Sequence, residues 1–463
     1  MNYFNKLSRS KITITILLLA LASLFSSCKK DWLNAKPSKS LIVPSTIQDY
    51  QALLDNTNLM NTNHPGLGEI GTNNFYMLNT QWQSLYNFQE RNAYIWTPDI
   101  FQGEYSFDWN DAYTRILNAN VVIKGIEKVQ TDGTSQSNWN NVKGSALFFR
   151  AYDFYDLAQE FCKPYIQSTA NSDLGIPLRT DPDVSKGSVR ASVQETYDQI
   201  IHDLLIAKDL LPINPLYKTR PSKPAAYALL ARTYLAMENY DRALLYSDSS
   251  LQLFSALIDY NTLNASSTLP VPRLNNEVIF HCILENYLAF FTASHVIDST
   301  LYISYDVNDL RRDIFFRIRS GLLVFKGNYN NANGTLFSGL ASDETYLIRA
   351  ECNARKGNTS IAMQDLNTLM IKRWKNNGTF IPFTAINADD ALVKILKERR
   401  KELIFRALRW TDLRRLNHDP RFAETLLRVI NGQTYSLPPN DPKYILPIAN
   451  DEIQLSGIQQ NPR

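Results

Sequence analysis

The chain has 463 residues, 44% of them hydrophobic, with 48 Lys and Arg against 45 Asp and Glu. Lys6, Arg9 and Lys11 supply that whole excess within the first 27 residues, so the remainder is neutral and lacks the basic footprint of a nucleic-acid binder. The 4 cysteines, Cys28 and the widely spaced Cys162, Cys282 and Cys352, point to neither a disulfide framework nor a CxxC metal site, and the last three read as buried free thiols.

In chain order, the basic start runs into an apolar stretch from Ile12 to Phe25, and the small residues Ser26 and Ser27 lead to Cys28. Residues 1–27 therefore read as an export signal, since the apolar run falls short of the roughly 20 residues a spanning helix needs. A cysteine at the cut site resembles the bacterial lipobox, whose thiol is acylated and becomes the new N-terminus. Two or more acyl chains on Cys28 would hold the protein on a membrane surface. A Pro/Ser-bearing tether, Lys36 to Ser40, follows, and then an Asn- and aromatic-rich stretch to about Trp109.

Helical periodicity dominates from there. Helices are expected from Trp109 to Lys128 and from Trp139 to Phe161. Ser192 and Glu195 form a capping box, in which each satisfies the other's orphan backbone donor, and Ile200, Ile201, Leu204, Leu205 and Leu211 continue that helix to Pro212. Pro221 and Pro224 open another, with Tyr227, Leu230, Ala231, Tyr234 and Leu235 on one face, and Asn239 makes the turn into its partner. Tyr227, Ala231 and Ala243 have the spacing of Tyr346, Ala350 and Ala362, with Gly357 and Asn358 at the second turn. That spacing is similar to the tetratricopeptide unit, a pair of helices brought close by small residues. A last pair is expected around Ala391 to Leu416. The insertions between copies are long, so the expectation is a mostly α scaffold of helix pairs carrying long irregular loops. Glu402 with Arg406, and Arg409 with Asp412, are spaced to pair along a helix surface.

Much of the chain beyond Cys28 resembles the SusD/RagB family of outer-membrane nutrient-binding lipoproteins. The resemblance lies in Trp109 to Tyr113, Ala119 to Val122, Lys143 to Tyr152 and Gly175 to Leu178. In the C-terminal half it lies in Glu344 to Glu351, Ala354 to Asn358, Asp365 to Asn367, Glu398 to Leu403, Arg409 to Arg415, Leu446 to Ile448 and Gln459 to Pro462. The stretch Phe405-Arg406-Ala407 departs from it, where the family usually has Phe-Glu-Gly. The resemblance implies an N-terminal region over 28–230 and a C-terminal region over 275–463, folded as one unit. It also implies a role in binding an oligosaccharide or polysaccharide at the cell surface for a SusC-like TonB-dependent transporter, with no enzymatic activity.

An aromatic face covers the C–H side of a sugar ring while Asn amides both donate and accept, so the ligand-facing candidates lie where those types mix. They are Asn73, Asn74, Tyr76, Trp82, Tyr86, Tyr94 and Trp96, with Phe101, Tyr105 and Trp109 completing the stretch. The resemblance adds a second group before the C-terminal repeat: Tyr302, Tyr305, Asn328 and Tyr329, with Asn330 and Asn331. Large aromatics are mostly buried, so only part of this set can reach a ligand. Trp82 and Trp96 stand out for their polar neighbours, and Trp109 reads as packed at a helix start. The five histidines, at 64, 202, 281, 295 and 418, show no HExxH spacing, and neither a GxSxG elbow nor a phosphate loop occurs, so no metal, cofactor or catalytic residue is assigned. Asp306 and Asp309 before Arg311 and Arg312 read as a solvated loop or an ion-pair network. The alternatives to a glycan-binding uptake protein are a peptide-binding uptake component, a helical-repeat adaptor of an outer-membrane complex, and an exported hydrolase.

Overall fold

Ser106 opens the first long helix by accepting from Trp109 N at 3.3 Å, and α1 runs Phe107–Ile126. The computed structural model describes residues 43–463; the leader and Cys28 lie outside the described residues, and Ser45–Arg463 forms one compact unit. The second helix, α2 (Gln136–Phe161), is buried almost continuously from Gly144 onward. A helix buried on all sides must have neighbours on all sides, and α2 packs against both α1 and α3 (Val193–Leu210). The expected capping box starts α3: Glu195 N donates to Ser192 Oγ at 3.1 Å, and Ser192 N to Glu195 Oε2 at 2.8 Å.

Ser222 caps α4 (Lys223–Ala236), with Pro224 in the first turn, where a missing N–H leaves no gap. Leu230, Ala231 and Leu235 are buried as the periodicity predicts. Tyr227 and Tyr234 are half-buried instead and stack on Tyr246 of α5 (Tyr240–Leu253), at centroid separations of 6.1 and 5.6 Å. The second hairpin joins α6 (Ser342–Arg355) to α7 (Thr359–Met370) through Gly357, whose φ of +82° suits a residue without Cβ. Ala231, Ala243, Ala350 and Ala362 all have 0% exposure, which confirms the repeat: each lies where two helices approach closely. Helix α6 packs on α5, α7 and α8 (Ala388–Glu402), so the pairs form one continuous layer.

The segment expected as one helix pair around Ala391 to Leu416 is α8 and a short α9 (Arg409–Leu416). Between them Phe405 and Ala407 have φ of +55° and +59°. This kink takes Arg406 off the helix that carries Glu402, and Arg409 and Asp412, though both in α9, turn to other partners, so neither expected surface pair forms. Glu402 accepts from Arg311 Nη1 at 2.9 Å and from Arg373 Nε at 2.8 Å; Arg406 pairs with Asp343; Arg409 pairs with Glu424; and Asp412 pairs with Arg399 and Arg415. Asp309 does join an ion-pair network, with Arg311 at 2.6 Å. The sheets are short antiparallel two-stranded pieces among the loops, and the fold is mostly α, as expected.

Candidate ligand-binding site

The strand Phe75–Tyr76 pairs antiparallel with Val296–Ile297, setting Tyr76 opposite Val296. This pairing brings the Asn/aromatic stretch against the loops that precede α6. Gln81 strengthens the junction by donating from Nε2 to the Ala293 carbonyl at 2.9 Å. Leu426–Ile430 and Gln433–Leu437 form a hairpin whose tip at Asn431 closes on the same segment: Asn431 N donates to Asn79 Oδ1 at 2.9 Å, and Gln83 Nε2 to Asn431 Oδ1 at 3.3 Å. Residues 76–86 are thereby held on a face built from three distant parts of the chain.

On that face Tyr86 is 81% exposed and Tyr76 41% exposed. Trp82, in the short helix Asn79–Ser84, is half-buried and donates its indole N–H to the Arg91 carbonyl at 3.1 Å, so one side of the ring is fixed while part stays open. Asn73 is also half-buried, but its side chain serves Arg409 Nε at 3.0 Å and Glu424. These four and Tyr105, which is 42% exposed farther along the stretch, are the members of the first candidate group that reach the surface.

Three others of that group belong to the core. Trp96 is 2% exposed, donates to the Gly71 carbonyl at 3.0 Å, and lies with Tyr94 beneath the Arg428 guanidinium. Tyr94 is 1% exposed and accepts from Met77 N at 2.8 Å. Asn74 is wholly buried between Glu69 and Arg400. Flanking polar residues mark Trp96 as ligand-facing, yet Asn92 is itself buried and Thr97 half-buried, and the Trp96 ring turns in at a φ of +55°. Trp109 packs edge-on against Phe161 at its helix start, as expected.

The second candidate group is largely structural. Tyr305 is buried and donates to the Lys401 carbonyl at 2.7 Å. Tyr329 is buried, donating to Glu277 and 2.9 Å from the Tyr260 hydroxyl, and it carries the Arg406 guanidinium on its ring. Asn328 is consumed in its own loop: Nδ2 donates to the Ala332 and Thr335 carbonyls at 2.8 and 2.7 Å, and Oδ1 accepts from Asn330 N and Phe337 N. Buried carboxylates and guanidinium groups need full partner sets, and these side chains supply them. Tyr302 is half-buried, with Arg312 stacked 4.8 Å above its ring, and Asn331 is half-buried with its amide donating to the Leu269 and Val271 carbonyls.

Sequence reasoning missed the polar residues that frame the face: Gln81, Gln83, Thr292, Arg319 and Asn431. Arg319 Nη1 donates to Thr292 Oγ1 at 2.5 Å, and Thr292 N donates to Asn333 Oδ1 at 3.1 Å, which ties the loops together. Beneath the face, burial pushes the Glu69 carboxyl up to about 7, although Asn74 and Arg400 favour its charged form. His64, Asp153 and Asp156 bring possible metal-ligating atoms within 4.8 Å of one another. They already serve each other and Arg115, which donates to Asp153 at 2.7 Å, while His64 Nδ1 lies 2.9 Å from Asp156.

Residues 31–235 match a SusD-like family model described as "Starch-binding associating with outer membrane", and residues 343–463 match one described as "SusD family". The chain is 25% identical over 378 residues to the SusD-like protein P2 of Formosa agariphila, covering 68% of this chain and 72% of that one. A solved Bacteroides vulgatus structure superposes with a TM-score of 0.74 at 20% identity, over 91% of this chain and 99% of the other. A SusD-like carbohydrate binding protein from Bacteroides vulgatus gives 0.64 at 20% identity, over 89% and 97%. At such identities the structures speak for a shared fold.

Proposed function

This chain belongs to the SusD family, and from that premise we propose that it is an outer-membrane lipoprotein which binds an oligosaccharide and delivers it to a SusC-type TonB-dependent barrel. The observation that carries the reading is the face around Tyr76, Trp82 and Tyr86: two exposed aromatic rings and one partly open ring, set among Gln and Asn side chains and held in place from three distant segments. Rings of this kind cover the apolar side of a pyranose, and amides satisfy hydroxyl groups that both donate and accept. The carbohydrate binding named for one structural relative agrees with this chemistry. The work proposed is capture without bond cleavage.

Attachment would come from acyl chains on Cys28; among the described residues no helix is long and apolar enough to cross a membrane. A tethered binder at the mouth of a barrel makes each capture and transfer effectively intramolecular, which favours modest affinity and rapid release. The test is a mild-detergent pull-down of the tagged native protein from outer membranes, paired with a titration of the purified protein against oligosaccharides. A stoichiometric TonB-dependent barrel and saturable glycan binding are the expected results. A lipidated protein that brings down no barrel would overturn the delivery step, and turnover of the glycan would replace binding with hydrolysis.

A further inference from the structure

A recess of about 260 Å³ opens beside this face, at the base of the loops tied by Thr292 and Asn333. Thr292 lines it and adjoins Ala293, the residue that Gln81 grips, so the recess lies next to the segment carrying Trp82. Phe290 and Phe325 form apolar walls, and Arg317 and Lys326 bring two cationic side chains to the same space. Among the described residues that line it, none is Asp or Glu. The size suits one sugar unit, being just under the smallest common ligand pockets.

The two cations are poorly compensated. Arg317 Nε is buried and has no hydrogen-bond partner. Lys326 is 6% exposed and donates to the Ala265 and Ser267 carbonyls, which uses two of the three ammonium donors and neutralises no charge. Burial and the neighbouring Arg317 both lower the Lys326 pKa, and Asp313, the acid it feels, exerts a weaker effect than Arg317. Two like charges beside one recess, with a buried guanidinium N–H left without a partner, favour a negative group that completes them.

We infer that this recess receives an anionic group, a carboxylate or a sulfate ester, borne on one unit of the bound oligosaccharide, with Arg317 and Lys326 donating to its oxygens and Phe290 and Phe325 against the sugar's apolar face. The inference rests on the glycan-binding reading above and narrows it to acidic glycans. Charge-assisted bonds to anionic oxygens are about twice as strong as neutral ones, so the acidic group sets selectivity while the outer aromatic face holds the neighbouring units.

The experiment is a calorimetric titration of the full lipidated chain, in detergent, with three oligosaccharides of equal length: a neutral cello-oligosaccharide, an oligogalacturonate and a carrageenan-type sulfated oligosaccharide. The expected result is that one acidic ligand binds at least about tenfold more tightly than the neutral one. That advantage shrinks with added salt, and the preferred ligand distinguishes carboxylate from sulfate. Arg317→Gln, at a half-exposed position with an unpartnered Nε, should collapse the acidic preference; Lys326→Gln should do the same if it folds. Equal affinity for neutral and acidic ligands overturns the inference and leaves the glycan reading standing, as does a preference that survives Arg317→Gln. No binding of any of the three by folded protein overturns the glycan reading itself.

Discussion

Arg406 Nη1 lies 3.1 Å from Asp343 Oδ2, joining two buried side chains 63 residues apart in the chain. The guanidinium is sandwiched against the rings of Tyr329 and Phe337, 4.4 and 4.7 Å from their centroids, while Asp343 lies in the first turn of α6, where negative charge is favoured. The kink after α8 is thus locked to the start of the repeat hairpin. Here the chain has an arginine where the resemblance in its sequence leads one to expect a glutamate, and that arginine is matched to a buried carboxylate. Arg406→Ala leaves Asp343 buried and uncompensated, and should lower unfolding free energy by about 3–5 kcal/mol. Urea denaturation followed by circular dichroism measures it, and a loss within error of zero would mean that the pair contributes nothing.

The neighbouring residue carries the cost of the same departure. Ala407 holds a φ of +59°, a conformation in which Cβ crowds the following carbonyl, at a position where the family usually places glycine. Ala407→Gly should therefore raise stability by about 0.5–1 kcal/mol, the relieved strain outweighing the extra chain entropy of glycine. The same denaturation experiment reads it, and a destabilised variant would show that the Ala407 methyl contributes more by packing than the backbone loses.

Two aromatic substitutions separate architecture from recognition. Trp96→Ala removes a buried ring and its bond to Gly71, and should cost about 3–5 kcal/mol with no direct loss of a ligand contact. Tyr86→Ala removes a ring that is 81% exposed, so the thermal midpoint should stay within about a degree or two while glycan affinity falls several-fold. Differential scanning calorimetry and titration on both proteins make the comparison. The opposite pattern, a stable Trp96 variant that cannot bind, would return Trp96 to the ligand surface.

The contrast between these residues shows what a sequence can carry. The capping box at Ser192 and Glu195, the alanines at 231, 243, 350 and 362 and the turn at Gly357 rest on neighbours within one helix pair, so local spacing is enough to find them. The partners of Arg373 are Glu402, 29 residues away, and Glu277, 96 residues away, and no local spacing encodes such a pair. For this reason the surface pairing expected for Glu402 with Arg406 did not form. The candidate site suffered from the same limit. Tyr86 and Trp96 sit in a stretch with no periodicity, and what buries Trp96 is its bond to the Gly71 carbonyl and the guanidinium of Arg428, 332 residues away, which no local spacing encodes. Arg317 and Lys326 gave no signal because each looks like an ordinary strand residue until the loops close around them.

Stability should fall as pH rises through about 6.5 to 7.5 and level off above that. Burial pushes the carboxyls of Glu69, Glu90, Asp156 and Glu285 up to about 7 in the fold, while in the unfolded chain they ionise near 4. Until those folded-state values are passed the folded protein holds protons that the unfolded chain has already released, so each increment of pH favours unfolding; above them both states are ionised and the slope vanishes. Below about 6.5 the slope is opposed by His64, His281 and His295, which burial pulls down to about 3, 4 and 4. These rings stay neutral in the fold but take up protons once unfolded, so acidification through their unfolded pKa draws the protein apart. The thermal midpoint should therefore decline between about pH 6.5 and 7.5, level off above that window and vary less below it. Glu69→Gln tests the assignment at the root of the ligand face, since it keeps an acceptor for Asn74 and cannot ionise. It should reduce the alkaline slope by one carboxyl's share, and an unchanged slope would mean that the Glu69 carboxyl is already ionised at neutral pH, balanced by Arg400 and Arg409.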